Sequence, residues 1–437
     1  MFAYYLDLAL RSLRRSPGLT TLMVLTIAFG VGASMTAWSV FRAVSGDPIP
    51  WKSAQLYVPQ IDMWGPSAQH GGPEPDNGPP DALDYGDAVA LMRDHRATLQ
   101  SAMYPIGPSV VPADAAKHPI QTGGHAVYSE FFRMVDVPFR YGSGWSAADD
   151  EHRAQVAVIS AKLNDKVFDG ANSVGKMLDI EGRDYRVVGV IGAWNPQPRF
   201  YDVVNTGGFA SDSEDLFLPF NTAIAAGMSN DGNTNCNAVP EAGFEGLQRS
   251  SCVWIAYMAQ LDDAAAADAY RSYLEGFAHT RYPNWAPRVS LRNLMDWLDH
   301  EHVVPSDTKV SLLIALGLLI VCLVNTAGLL LAKFLRRASE IGVRRALGAP
   351  RRAIYAQFLT EGAVIGLAGG VLGLVLTGIG VASVGLVLPR DIANLAHLDV
   401  SLLATTLAVA VLASLLAALY PTFRAARVVP AWQLKSN

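Results

Sequence analysis

The residues best suited to specific chemistry lie in one basic stretch, Ser339–Arg352, which reads SEIGVRRALGAPRR. Arg344, Arg345, Arg351 and Arg352 face a single acid there, Glu340, and guanidinium groups in that number pair with phosphate or carboxylate. Ala, Leu, Arg and Glu favour a helix, which Gly348, Ala349 and Pro350 then stop. Two roles fit a short basic helix: an anchor touching anionic lipid headgroups, or a docking knob for a partner protein. Charge alone favours the anchor. Hydrolytic and nucleotide chemistry has no support, since G-x-x-x-x-G-K-[ST], G-x-S-x-G and H-E-x-x-H patterns are all missing. His300 and His302 flank Glu301, but positions i and i+2 of a helix point to different sides, which argues against a metal site. The acidic groups Asp149–Glu151 and Asp212–Asp215 read as solvated loops. No cofactor or metal is expected to bind the chain directly.

The elements that would carry the basic stretch are apolar. Of 437 residues 51% are hydrophobic and 17% charged, with a net charge of −5. That is too apolar for an ordinary soluble enzyme, too weakly charged for a disordered chain, and without the basic excess of a nucleic-acid binder. No Asp, Glu, Lys, Arg or His occurs in Ser16–Phe41, Val310–Ala332, Gly362–Pro389 or Val400–Phe423. A helix of about 20 such residues crosses a bilayer, so four spans are expected. The first run, behind Arg11, Arg14 and Arg15, also resembles a signal peptide, but it is about twice the usual apolar length and reads as a retained anchor. The N-terminal segment, the loop between spans two and three, and the tail together carry 13 basic and 2 acidic residues. The segment 46–308 carries 18 basic and 34 acidic residues. The positive-inside rule therefore puts both termini and the basic helix in the cytoplasm, and 46–308 with the turn Arg390–Asp399 on the far side.

That outer segment is large enough for a core of its own. Trp64–Pro80 reads as loop; Gln155–Ser160, Met177–Ile180 and Tyr185–Val190 read as strands, with Gly182 at a hairpin turn and a helix over Ala161–Phe168. Cys252–Leu261 reads as a buried strand, followed by a helix over Asp263–Ala278 and an extended Arg288–Leu291, so the segment is α+β. Asn195–Ser251 reads as a polar loop. Cys236 and Cys252 share the oxidising side under this topology and are expected to pair; Cys322, inside span two, reads as a packing residue. Gly362, Gly366 and Gly370 form G-x-x-x-G steps in span three, with Gly369 and Gly373 a second series. Such faces serve packing within a bundle or dimerisation equally well. Glu361, at the mouth of that span, reads as interfacial.

Longer strings carry a resemblance. EIGVRRALGAPRRAIYAQFLTEG with the terminal YPTFRAARVVPAWQLKS resembles the FtsX-like permease domain of MacB-type ABC transporters. VAVIS, KVFDG and VGKMLDIEGRDYRVVGVIG resemble that family's periplasmic core domain, and YYLDLALRSLRRSPGLTTLMVLTIAFGVGA its entry helix and first span. The resemblance implies four transmembrane α-helices with a large α+β periplasmic domain of two lobes between spans one and two. The implied divisions are an amphipathic entry helix 1–15, span one 16–45, the periplasmic core domain 46–308, span two 309–335, a coupling helix 336–352, span three 353–389, a turn 390–399, span four 400–423 and a tail 424–437. Within the core domain, flanks at about 50–140 and 253–300 form a porter-like lobe and about 143–250 a central lobe. Glu340, Ile341, Gly342, Arg344, Arg345, Ala346, Leu347 and Gly348 would form or flank the coupling helix that docks into an ATPase. The expected ATPase is a separate subunit that holds ATP and Mg²⁺. A second permease, identical or a sister chain, and the membrane lipids complete the implied assembly. An efflux role would add a periplasmic adaptor and an outer-membrane channel; lipoprotein release and FtsX-like regulation of an envelope hydrolase are the alternatives. The chain itself is expected to be non-catalytic.

Overall fold

A computed structural model describes residues 2–65, 78–114, 116–209, 213–304, 306–384 and 399–426. Most of the Trp64–Pro80 stretch, Asp212, most of the turn around Arg390 and the tail beyond Ala426 lie outside the described residues. The chain divides into two compact units, one formed by residues 1–46 and 304–437 and the other by 47–303.

The first unit is a helix bundle. An entry helix, Phe2–Arg15, precedes four helices long and apolar enough to cross a membrane: Pro17–Ser45, Ser306–Arg336, Arg351–Val384 and Val400–Ala426. Pro17 opens the first span, where a missing N–H costs nothing. Between spans two and three stands the short connecting helix Ala338–Ala346. Met23, Ile27 and Val31 of span one pack with Leu330 and Phe334 of span two and with Ile354, Phe358 and Ile365 of span three.

The second unit is α+β. Its strands are β1 (Leu56–Ile61), β2 (Leu99–Ile106), β3 (Ser109–Val111), β4 (Ile120–Gln121), β5 (Gly124–Val127), β6 (Phe139–Gly142), β7 (Val156–Ser160), β8 (Met177–Ile180), β9 (Arg183–Ile191), β10 (Leu216–Pro219), β11 (Ala256–Gln260) and β12 (Val289–Asn293). They form one sheet in the order β12-β1-β11-β2-β5-β10-β7-β9-β8-β3-β4, with β6 added beside β9. β5–β10 and β7–β9 are parallel; the other pairs are antiparallel. The pieces expected to form two lobes thus share a continuous sheet, in which β10 and β8 of the central piece pair with β5 and β3 of the flank.

Both faces of that sheet are covered. Along β7, Ala157 and Ile159 enter one apolar cluster while Val156 and Val158 enter another; Tyr257 and Ala259 of β11 alternate with Ala256 and Met258 in the same way. Strands buried on both faces read as unbroken apolar runs, which is why VAVIS and the WIAYMAQ segment lack polar alternation. The β8–β9 hairpin turns at Glu181 and Gly182, both with positive φ (53° and 74°), a conformation glycine tolerates without strain. The stretch 195–251 differs from expectation. It supplies the central strand β10 and the helix Phe220–Ala226, hidden in the sequence because LFLP is only four residues long and runs directly into that helix. The acidic groups also differ: Asp150 is buried and accepts hydrogen bonds from the Ser129 amide (2.7 Å) and Trp145 Nε1 (2.8 Å).

Glu214 belongs to a buried charged quartet. His125 Nε2 lies 2.8 Å from Asp202, His125 Nδ1 lies 3.1 Å from Glu214, and Arg199 contacts Glu214 at 2.7 Å. Two carboxylates against one guanidinium leave one negative charge, which a protonated imidazole neutralises. Burial pulls the His125 pKa down most strongly of any single influence, but Glu214 and Asp202 together overcome it and raise it to about 9. A pKa raised above the ordinary 6.5 contributes stability that is complete below pH 6.5 and lost as pH climbs through about 9. Melting of this unit, followed by tryptophan fluorescence of the whole chain, should therefore fall between pH 7 and about 9.5, and His125→Asn should flatten that slope above about pH 8.

Cys236 and Cys252 are joined by a disulfide, and beside it Asn235 and Val253 exchange backbone hydrogen bonds of 3.0 and 2.8 Å. Closing a loop of this size removes conformational freedom from the unfolded chain worth about 3 kcal/mol. Replacing both cysteines by serine should lower the melting temperature of this unit while leaving span insertion intact, as protease protection in membranes would show.

Candidate functional site in the helix between spans two and three

The connecting helix has one buried face and one free face. Ile341 and Gly342 are buried, Ile341 within the apolar cluster of Leu330, Phe334, Ile354 and Phe358. On the other side Val343 and Leu347, one turn apart, are 52% and 83% exposed, and Ala346 is exposed beside them. Arg345 is half-buried. The helix ends in a Schellman motif: the Gly348 amide donates to Arg345 O (3.1 Å) and the Ala349 amide to Arg344 O (3.0 Å). Gly348 sits at φ 94°, which a side chain would strain, so it forces the reversal into span three.

Ionic contacts hold this helix to the bundle. Glu340 accepts from Arg337 (3.2 Å) and from Arg344 (2.6 Å), and Arg344 also donates to Gln357 of span three (3.0 Å). Arg344 therefore points inward, toward partners in its own chain. Glu361, expected at an interface, is fully buried. Lys333 of span two contacts its Oε1, Ser12 Oγ of the entry helix lies 2.9 Å from both oxygens, and Arg337 Nη1 lies 3.7 Å from Oε2. Removing one member of such a buried pair strands the other, at a cost of about 3–5 kcal/mol. The sequence signal for this burial was TEG preceding the glycine series: an acid next to residues that must touch a neighbouring helix.

The glycines of span three face two neighbours. A Cβ on Gly362, Gly366 or Gly370 would lie 2.9 Å from Ala418, 2.1 Å from Ser414 Oγ and 2.9 Å from Ala410, all in span four. One on Gly369 would meet Ile27 of span one at 2.8 Å, and Gly373 faces Ala28 and Val31. Span one answers with Gly30 against Cys322 and Gly32 against Leu376, which places Cys322 at a close helix crossing. Both glycine series are occupied within the bundle.

In the second unit Asp81, His300 and Glu301 bring three ligand atoms within 4.8 Å of one another, the one arrangement among the described residues with the donor types for a cation. His302 turns away, its Nδ1 2.9 Å from Asp299 O. Burial, followed by the Asp81 carboxylate, pushes Glu301 up to about 8, while Arg292 acts on both carboxylates as a counter-charge.

Residues 20–276 match the MacB-like periplasmic core domain and residues 312–430 the FtsX-like permease C-terminal domain. The chain belongs to the MacB-type, FtsX-like ABC transporter permeases. This permease is 25% identical over 387 residues to the macrolide export ATP-binding/permease protein MacB of Rhodospirillum rubrum, covering 87% of this chain and 53% of that protein. It is 26% identical over 261 residues to the pyoverdine export ATP-binding/permease protein PvdT of Pseudomonas syringae pv. tomato, covering 59% and 35%. It is 26% identical over 263 residues to the Bacillus subtilis ABC transporter permease YvrN, covering 59% and 57%. The permease thus spans about a third to just over half of these relatives' own lengths. The periplasmic region of MacB from Actinobacillus actinomycetemcomitans aligns with a TM-score of 0.36 at 12% identity, over 57% of this chain and 94% of that one.

The packing separates two kinds of glycine. Gly366→Val should overpack the span three–span four contact and cost about 1–3 kcal/mol or more, whereas Gly328→Ala, with open space around it, should be neutral. Melting curves of the purified variants in detergent test the contrast.

Proposed function

We propose that the permease is the non-catalytic membrane subunit of an exporter in the bacterial inner membrane, driven by a separate ATPase that binds ATP and Mg²⁺. The connecting helix carries this reading: its inner face is fastened to the bundle, and Val343, Ala346 and Leu347 present an apolar edge that nothing among the described residues covers. A small apolar edge at the tip of a braced, basic helix suits insertion into a cleft of a partner protein. Arg336, Arg351 and Arg352, all exposed, would serve lipid headgroups beside it. The excess of basic residues in this loop supports a cytoplasmic position for both termini and the helix, and hence a periplasmic position for the second unit. Two permeases, identical or sister chains, would complete the assembly, with an adaptor and outer-membrane channel outside.

The mechanism proposed is mechanical. Motion of the ATPase would be received at Val343–Gly348 and passed along the spans. Span one ends at Ser45 and the second unit starts at Asp47; that unit ends at Val303 and span two starts at Ser306. Both links are thus only a few residues long. The spans carry few polar groups, which supports handling of cargo outside the membrane over a hydrophilic path through it. Relatives named for macrolide and pyoverdine export support export as the transport class.

Within the stretch that the resemblance implies docks, exposure favours Leu347 with Val343 over the arginines. Because Arg344 is engaged within the chain, Leu347 and Val343 carry the contact. Leu347→Asp should lower stimulation of the ATPase that co-purifies with the permease about tenfold or more, with membrane insertion and melting unchanged. Full stimulation by that variant overturns the docking assignment.

A further inference from the structure

Docking at Val343–Gly348 does not require a carboxylate buried in span three, yet Glu361 lies ten residues into that helix, about 15 Å from its start. A charge at such a position calls for a specific role. Proton or cation relay fits poorly. The cluster pairs Glu361 and Glu340 with Lys333, Arg337 and Arg344, and its positive excess repels cations. Its geometry has another feature. Arg337 is the one residue between the end of span two at Arg336 and the start of the connecting helix at Ala338, and it has left helical geometry, with φ −103° and ψ 12°. It is therefore the joint on which the connecting helix would swing.

Two of the contacts of that joint lead to Glu361, one directly and one through Ser12, and the third leads to Glu340. Arg337 reaches Glu361 at 3.7 Å, Ser12 Oγ at 2.5 Å and Glu340 at 3.2 Å. Ser12, shared between Arg337 and Glu361, brings in the entry helix, and Lys333 holds span two one turn before the joint. Gln357 of span three, one turn before Glu361, holds Arg344 at the far end of the connecting helix. We propose that Glu361 is a positioning residue that locks the Arg337 joint, so that a push on the connecting helix moves the entry helix, span two and span three together. This rests on the docking reading of the connecting helix, and it adds that docking without the lock produces binding but no transmission.

Distances between spin labels at Arg11→Cys on the entry helix and Ala346→Cys on the connecting helix, in a Cys322→Ala background, measure the lock without any ATPase. The parent should give one narrow distribution and Glu361→Gln a broadened one. Lys333→Met combined with Glu361→Gln buries no stranded charge; it should melt near the parent temperature and still show the broad distribution, which separates positioning from stability. With the ATPase that co-purifies with the parent added, both variants without labels should still bind it but stimulate it about fivefold less or worse. A parent-like distribution in the double variant overturns the lock. A broad distribution with full stimulation overturns its part in transmission. A parent with which no ATPase co-purifies, or which fails to stimulate the one that does, overturns the docking reading alone, since the label distances stand without it.

Discussion

The contact of Lys333 with Glu361 inside an apolar bundle is the constraint to which the surrounding helices answer. Neither charge tolerates burial alone, so the entry helix, span two and span three must bring their polar groups to one place and satisfy both carboxylate oxygens there. Hydrophobic burial could hold these helices together in several rotations, because it has no direction. Hydrogen bonds and ion pairs permit one. The connecting helix inherits that orientation through Arg337 and Glu340, and this is what leaves Val343 and Leu347 facing outward.

The rest of the bundle is organised by size. In lipid, apolar side chains gain little by meeting each other in place of acyl chains, and close backbone approach supplies the attraction. Span three uses its two glycine series against spans four and one, and Gly30 brings span one onto span two. Charge fixes the rotation at one end of the bundle and small residues fix the spacing along its length.

Much of this was readable from residue types. Four charge-free runs predicted four spans, and the β8–β9 hairpin was marked by Gly182 between two apolar stretches. What the chain concealed were features that depend on a distant partner. β10 is four residues long and is recognisable as a central strand only once β5 and β7 lie on either side. Asp150 and Glu214 looked like solvated acids because their partners, Ser129, Trp145, His125 and Arg199, are between 5 and 89 residues away. Glu361 looked interfacial for the same reason: the group that buries it, Ser12, is 349 positions away. Composition likewise reports the charge of the connecting helix and is silent on which face carries it, so the inward direction of Arg344 could not be read from the sequence.

The pairing of β1 with β12 has a mechanical meaning. β1 is the first strand after span one and β12 the last before span two, and five residue pairs run between them in register from Tyr57–Asn293 to Ile61–Val289. Chain entry and chain exit of the insert are therefore stitched to each other along one edge of the sheet. A pull along the strands would load all five pairs at once, whereas peeling would load them one after another, so the two chain ends of the insert behave as a single edge of its sheet.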